Sequence, residues 1–121
     1  MTQVREEHPQ LQWRDFLERL TQEHEGDEVT IEVLSPEFGD QEEAVRLPLA
    51  YLEYDNKDDV VFVVVGGPST RYPTLRHMIF RPRKILVDPP SPEAARAVDV
   101  EDKDGIHTIV TLYRRASTPT S

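Results

Sequence analysis

The chain contains no cysteine among its 121 residues, which excludes disulfide staples, thiolate nucleophiles and any Cys-ligated zinc or iron–sulfur centre. Stability therefore has to come from packing. Long apolar runs are missing too. Nothing approaches the roughly 18 to 20 consecutive apolar residues of a membrane span, and Glu6 and Glu7 are followed by no apolar stretch of the kind a secretory leader carries. No membrane association and a cytoplasmic location are the resulting expectations. Positive charge is scarce: 14 Lys and Arg stand against 23 Asp and Glu, a formal net charge of −9. A chain of that sign repels polyanions at long range, so nucleic acid and anionic lipid are disfavoured as general partners.

What is present reads as one domain, because half of so short a chain could not bury a core of its own. The sequence predicts a tail over 1–8, a globular body over 9–115 and a second tail over 116–121. From Pro9 to Glu25, Trp13, Phe16, Leu17 and Leu20 fall at i, i+3, i+4 and i+7, one face of an α-helix. Gly26 supplies its stop. Arg14 with Glu18 and Asp15 with Arg19 have the i,i+4 spacing of ion pairs on the polar face. After Gly26 the apolar period changes from 3.6 to 2.

Val29, Ile31 and Val33 alternate with polar residues as in a half-buried strand. A second strand-like run covers 44–54 with Val45, Leu47, Leu49 and Tyr51 on one side and an expected interruption at Pro48, which lacks a ladder donor. The β-branched run Val60–Val65 predicts the central strand, buried on both faces. A stretch from Leu75 to Val87 follows, broken or bulged at Pro82. Ser91 could cap a short helix through Ala97, or Val98 and Val100 could open the next strand. Asp104-Gly105 closes the last hairpin, whose second arm runs through Ile106, Thr108, Val110 and Leu112. The expected fold is α+β and mainly β: an N-terminal amphipathic helix packed on a bent antiparallel sheet or small barrel of five to six strands.

The most unusual segment is 71–87. It carries Arg71, Arg76, Arg81, Arg83 and Lys84 with no acid, so its formal +5 leaves −14 on the rest of the chain. With His77 these form the candidate anion- or partner-binding set: Arg71, Arg76, His77, Arg81, Arg83 and Lys84. Cations interleaved with Tyr72 and Phe80 on a strand could serve a polyanion such as RNA on a barrel of the Sm or SH3 type. The competing reading pairs them with carboxylates of neighbouring strands.

No other motif carries chemistry. Asp99, Glu101, Asp102 and Asp104 precede Gly105, but counting that glycine as position six of a calcium loop puts Val100 first and Thr111 twelfth. The acids read as a solvated turn. His77 and His107 lie in predicted strands without metal-ligand spacing, and His8 and His24 read as surface residues. No serine occupies a nucleophile elbow, and Gly66-Gly67 lacks the lysine of a P-loop. The expectation is a non-catalytic protein-interaction or ligand-binding module with no cofactor and no metal, its partner an unidentified protein or small ligand, present as a monomer or small homo-oligomer. RNA or polyanion binding is the alternative, and an enzyme is the least favoured class.

Trp13-x-x-Phe16 leading to His24-x-Gly26, then Val29 through Leu34, Leu47-Pro48-Leu49, His77-x-Ile79-x-x-Pro82 and Asp104-Gly105 together resemble a family of small uncharacterised bacterial proteins, a domain of unknown function labelled DUF5335. The resemblance spans about residues 10–114. It implies a bacterial source and supplies no activity, ligand or catalytic residue.

Overall fold

A computed structural model describes residues 5–66, 75–92 and 94–113. In chain order these are strand β1 (Glu6–His8), a 3-10 turn (Gln10–Gln12), helix α1 (Trp13–His24) and strands β2 (Glu28–Ser35), β3 (Gly39–Asp55), β4 (Val60–Val65), β5 (Leu75–Phe80), β6 (Pro82–Asp88), β7 (Ala94–Asp102) and β8 (His107–Tyr113). The strands form one open antiparallel sheet in the order β1-β6-β7-β8-β2-β3-β4-β5.

The fold is mainly β behind one N-terminal helix, as the change of period predicts. Two features differ from the expectation: no barrel closes, and the sheet holds eight strands where five to six were expected. Glu6–His8, read from the sequence as part of a tail, pairs with Val87, Leu86 and Ile85 of β6. The stretch around Pro82 is two strands, because Arg81 takes a left-handed backbone (φ 54°) between Phe80 and Pro82. The Ser91 segment resolves in favour of a strand, with the Ser91 hydroxyl accepting the Ala94 N–H at 3.1 Å.

The helix forms where the apolar spacing requires it. Trp13, Phe16, Leu17 and Leu20 are all buried and join one core with residues of β2–β8, among them Ile31, Leu49, Leu52, Val63, Ile85 and Leu112. Each such side chain contributes about 1.5–3 kcal/mol when fully buried. The i,i+4 ion pairs expected on the polar face are not formed among the described residues. Trp13 Nε1 instead donates to the His8 carbonyl at 2.7 Å, and its ring meets Tyr54 edge-on at 5.1 Å. His8 stacks on Phe16 at 4.0 Å. Gly26, at φ 86°, ends the helix, and its N–H donates to the Leu49 carbonyl at 2.8 Å while the Leu49 N–H donates to Asp27 at 2.9 Å.

β3 holds the two halves of the sheet together. Its first part pairs with β2 and its second with β4, with register irregularities on each side of the hand-over. Arg46 takes φ 54° at that bend. This is why the one-sided apolar set expected along this strand divides: Leu49 is buried, whereas Val45, Leu47 and Tyr51 are exposed, as the bend rotates the pleat. β4 is buried on both faces as expected, but it stands next to the end of the sheet and not at its centre.

Thr21 fastens the helix to β3. Its hydroxyl accepts the Leu52 N–H at 2.8 Å, and its one proton lies within reach of the Leu17 carbonyl at 2.9 Å and the Leu52 carbonyl at 3.0 Å. Thr21→Val keeps the shape and orphans a strand amide, so denaturant titration should show a loss of about 1–3 kcal/mol. Thr21→Ser should recover most of it. Equal stability of the valine variant and the parent would remove this fastening from the account.

Candidate functional site

The sequence-predicted set does not converge on one point. Arg71 lies outside the described residues. On β5 the pleat turns Leu75, His77 and Ile79 toward the interior and Arg76, Met78 and Phe80 outward. His77 is half-buried, on the opposite face from Arg76. Arg81 occupies the corner between β5 and β6, and Arg83 and Lys84 are both exposed at a register irregularity of β6. The structure thus separates the histidine from the cations and strings the cations along the outside of a kinked ribbon.

No ion pair to a cross-strand carboxylate forms at these cations among the described residues, although Glu101 stands directly opposite Lys84 in the β6–β7 register. Arg5, Arg46 and Arg96 all reach an acid. Among the described residues, Arg76, Arg81, Arg83 and Lys84 have none within ion-pair distance. The neighbours of Arg76 are apolar. Phe80 is 57% exposed and Met78 39%, Phe62 is opposite Met78, and the Arg76 guanidinium lies 5.7 Å from the Phe62 ring.

Three non-glycine residues among those described adopt a positive φ: Arg46, Asp59 and Arg81. A bulky residue in that region costs about 1–2 kcal/mol, which glycine would avoid. At two of these positions the side chain has structural employment. Arg46 pairs with Glu28 at 3.1 Å and lies 3.7 Å over the Tyr113 ring. Asp59 accepts the Tyr54 hydroxyl at 2.8 Å. Arg81 uses its backbone, donating its N–H to Asp59 and accepting from Lys103, while its guanidinium is exposed and meets no described acid.

Strands β6 and β7, beside β1, hold a cluster that sequence reasoning missed. Asp99, read as part of a solvated acidic turn, is 4% exposed. It accepts from Arg5 Nη2 at 2.9 Å and faces His107 Nδ1 at 3.0 Å, while His107 Nε2 lies 3.4 Å from Glu101. Arg5 also reaches Asp88. The Asp99 carboxylate, aided by Asp88, raises the Arg5 pKa above its ordinary value, against the lowering effect of burial. The alternation Val98-Asp99-Val100 was the available signal; it gives no hint that a neighbouring strand covers the acid. Asp102 behaves as the expected turn residue, accepting the Asp104 and Ile106 N–H groups at 2.8 and 3.1 Å.

This arrangement fastens β1 to β6 and β7 and leaves little room for chemistry. Both nitrogens of His107 face carboxylates. His24 and His8, expected at the surface, are partly covered: His24 Nδ1 lies 3.1 Å from the buried Asp27 and His8 stacks on Phe16. No group of three or more His, Asp or Glu among the described residues could hold a metal ion. Grooves along the helix, one of them lined by Arg14, Glu18, Thr21, Tyr51, Leu52 and Glu53, bring together no nucleophile and base. No helix is long and apolar enough to cross a membrane among these residues.

His77 yields a pH prediction. Burial lowers its pKa below 6.5, with the negative charge of Glu43 opposing. Between the lowered folded value and 6.5 the unfolded chain binds more protons than the fold, so stability falls as pH drops through that window. Glu32 has the opposite sign: burial, then Asp40 and Glu42, raise its pKa above 4.5, so its contribution is full below 4.5 and fades as pH rises through the raised value. Comparing wild type with His77→Gln isolates the histidine. The wild-type unfolding midpoint should fall more steeply than the variant's on acidification below 6.5, and parallel curves would contradict the assignment. A second substitution tests the cluster: Asp99→Ala should raise amide exchange at Glu6–His8 selectively, because Arg5 loses its buried anchor.

A model of a family of unknown function, DUF5335, matches residues 4–121. An uncharacterized protein of Aquifex aeolicus (strain VF5) is 32% identical over 104 residues, which cover 86% of this chain and 87% of that one. No solved structure matches. The sequence pattern, the full-length family match and the relative agree: the chain belongs to the DUF5335 family.

Proposed function

We propose that this domain works by binding a protein partner in the bacterial cytoplasm and performs no reaction of its own, and that the outer side of the β5–β6 ribbon is its contact surface. The observation that carries this reading is the unpaired state of Arg76, Arg81, Arg83 and Lys84 among the described residues of a chain with 23 acids. Where carboxylates are so abundant, four cations close in sequence that form no ion pair among the described residues make a local site of the opposite sign. Arg81 adds weight, since its backbone would be better served by glycine and its side chain has no described structural task. Exposed Phe80 and Met78 beside the cations supply the apolar and aromatic contact typical of interface centres.

The same cations and Phe80 would also suit single-stranded RNA. The net charge of −9 opposes that reading.

Affinity capture from a lysate of the native host tests the proposal. Wild type should recover a discrete protein that is lost when Arg76, Arg81, Arg83 and Lys84 are all changed to glutamate and kept when Arg14→Glu is made on the helix. Capture that survives the fourfold reversal would refute this surface, and recovery of RNA in its place would transfer the reading to nucleic acid. Arg81→Gly alone should leave stability within about 1 kcal/mol of wild type, as relief of backbone strain offsets glycine's greater unfolded-state freedom, while weakening capture.

A further inference from the structure

On the reading that the β5–β6 ribbon is an interaction surface, we propose that its partner is an extended segment, with a carboxylate followed by apolar groups at its outward positions, which adds as a further strand to the edge of β5 that no described strand occupies.

The sheet ends in two strands, and they differ. β1 has three residues and is fastened by Arg5 to Asp88 and Asp99. β5 has six residues, Leu75–Phe80, and pairs with β4 throughout on one side. No described strand pairs with its other side. Natural sheets blunt such an edge with proline, charged side chains, a bulge or very short length. β5 carries one exposed charge, Arg76, and none of the other devices: its register with β4 is unbroken from Leu75 to Phe80, and Pro82 comes only after the corner. A continuous edge of this length is the template that strand addition uses, where main-chain hydrogen bonds supply affinity and alternate side chains supply selection.

The outward side chains specify what would be selected. Residues directly opposite on paired antiparallel strands share a face about 4.5–5.5 Å apart. A segment lying along β5 would place its own outward residues beside Arg76, Met78 and Phe80. The first position calls for a carboxylate, and the next two for aliphatic or aromatic groups. Arg81, at the end of the strand, offers a second carboxylate site. A second copy of this chain fits less well, because β5 carries no acid to set opposite Arg76.

A synthetic peptide with glutamate, valine, valine and glutamate at its outward positions, separated by threonines, is the probe, with a counterpart that carries lysine in place of each glutamate. Titrated into the isotope-labelled full chain, the glutamate peptide should bind saturably and slow amide exchange at alternate residues of β5. The lysine peptide should do neither. Arg76→Glu combined with Arg81→Glu should weaken binding about tenfold or more, in line with loss of charge complementarity. Three results would overturn the inference: no saturable binding, equal binding of both peptides, or shifts at Met78 and Phe80 without amide protection, which is docking on the face and not on the edge. Concentration-dependent dimerisation that protects β5 without peptide would also overturn it in favour of a second copy. If the peptide fails while the fourfold charge reversal still abolishes partner capture, the interaction surface stands and strand addition alone is rejected.

Discussion

The structure depends on one geometric mismatch: a single short helix has to complete the core of a wide sheet. Twelve residues of α-helix extend about 18 Å, whereas eight strands at about 4.8 Å spacing extend over 30 Å between their outermost members. A flat sheet of that width would leave much of its apolar face in water. The chain bends the sheet so that it also buries its face against itself, which is why Ile85, Val98 and Val110 share one core with Trp13 and Leu17. The bend is localised where β3 passes from β2 to β4, around Arg46 and Pro48, and where β5 gives way to β6 at Arg81.

Those bends explain the polar details. Pro48 has no N–H to give at the hand-over, and its carbonyl accepts the Gly66 N–H at 3.0 Å. Arg81 satisfies both of its backbone groups across the corner, one to the turn before β4 and one to the turn before β8. Thr21 completes the fastening of the helix to the second half of β3. Each case answers the requirement that buried backbone groups find partners where regular ladders are interrupted, and no buried side-chain nitrogen or oxygen is left unsatisfied among the described residues.

The same economy sharpens the contrast between the two groups of charged residues. Around Asp99, charge is paired inward and serves to hold β1 in place. Around Arg76 and Arg81, charge is turned outward and forms no ion pair among the described residues of a chain whose excess is acidic. A structural role accounts for the first cluster in full. For the second, the fold uses the backbone and leaves the side chains available.

Much of this was legible in the residues. The helix, its Gly26 stop, the β-branched run of β4, the break beside Pro82 and the Asp104-Gly105 hairpin follow from local rules, because periodicity and turn chemistry act over a few residues. The sequence by itself also determined that residues 71–84 are the basic part of an acidic chain. It could not determine that Glu6–His8 would form a strand, since three residues have no period and their pairing with β6 is a contact across the whole chain. Nor could it tell which side of β3 would be buried, because a bend at Arg46 reverses the pleat that alternation assumes. Only the tertiary structure decided that Asp99 is buried and held by Arg5, and that Arg76 and His77, adjacent in sequence, face opposite ways on a strand whose outer edge no described strand occupies. Charge pairing depends on which strands become neighbours, and that is settled by how the sheet curls around its one helix.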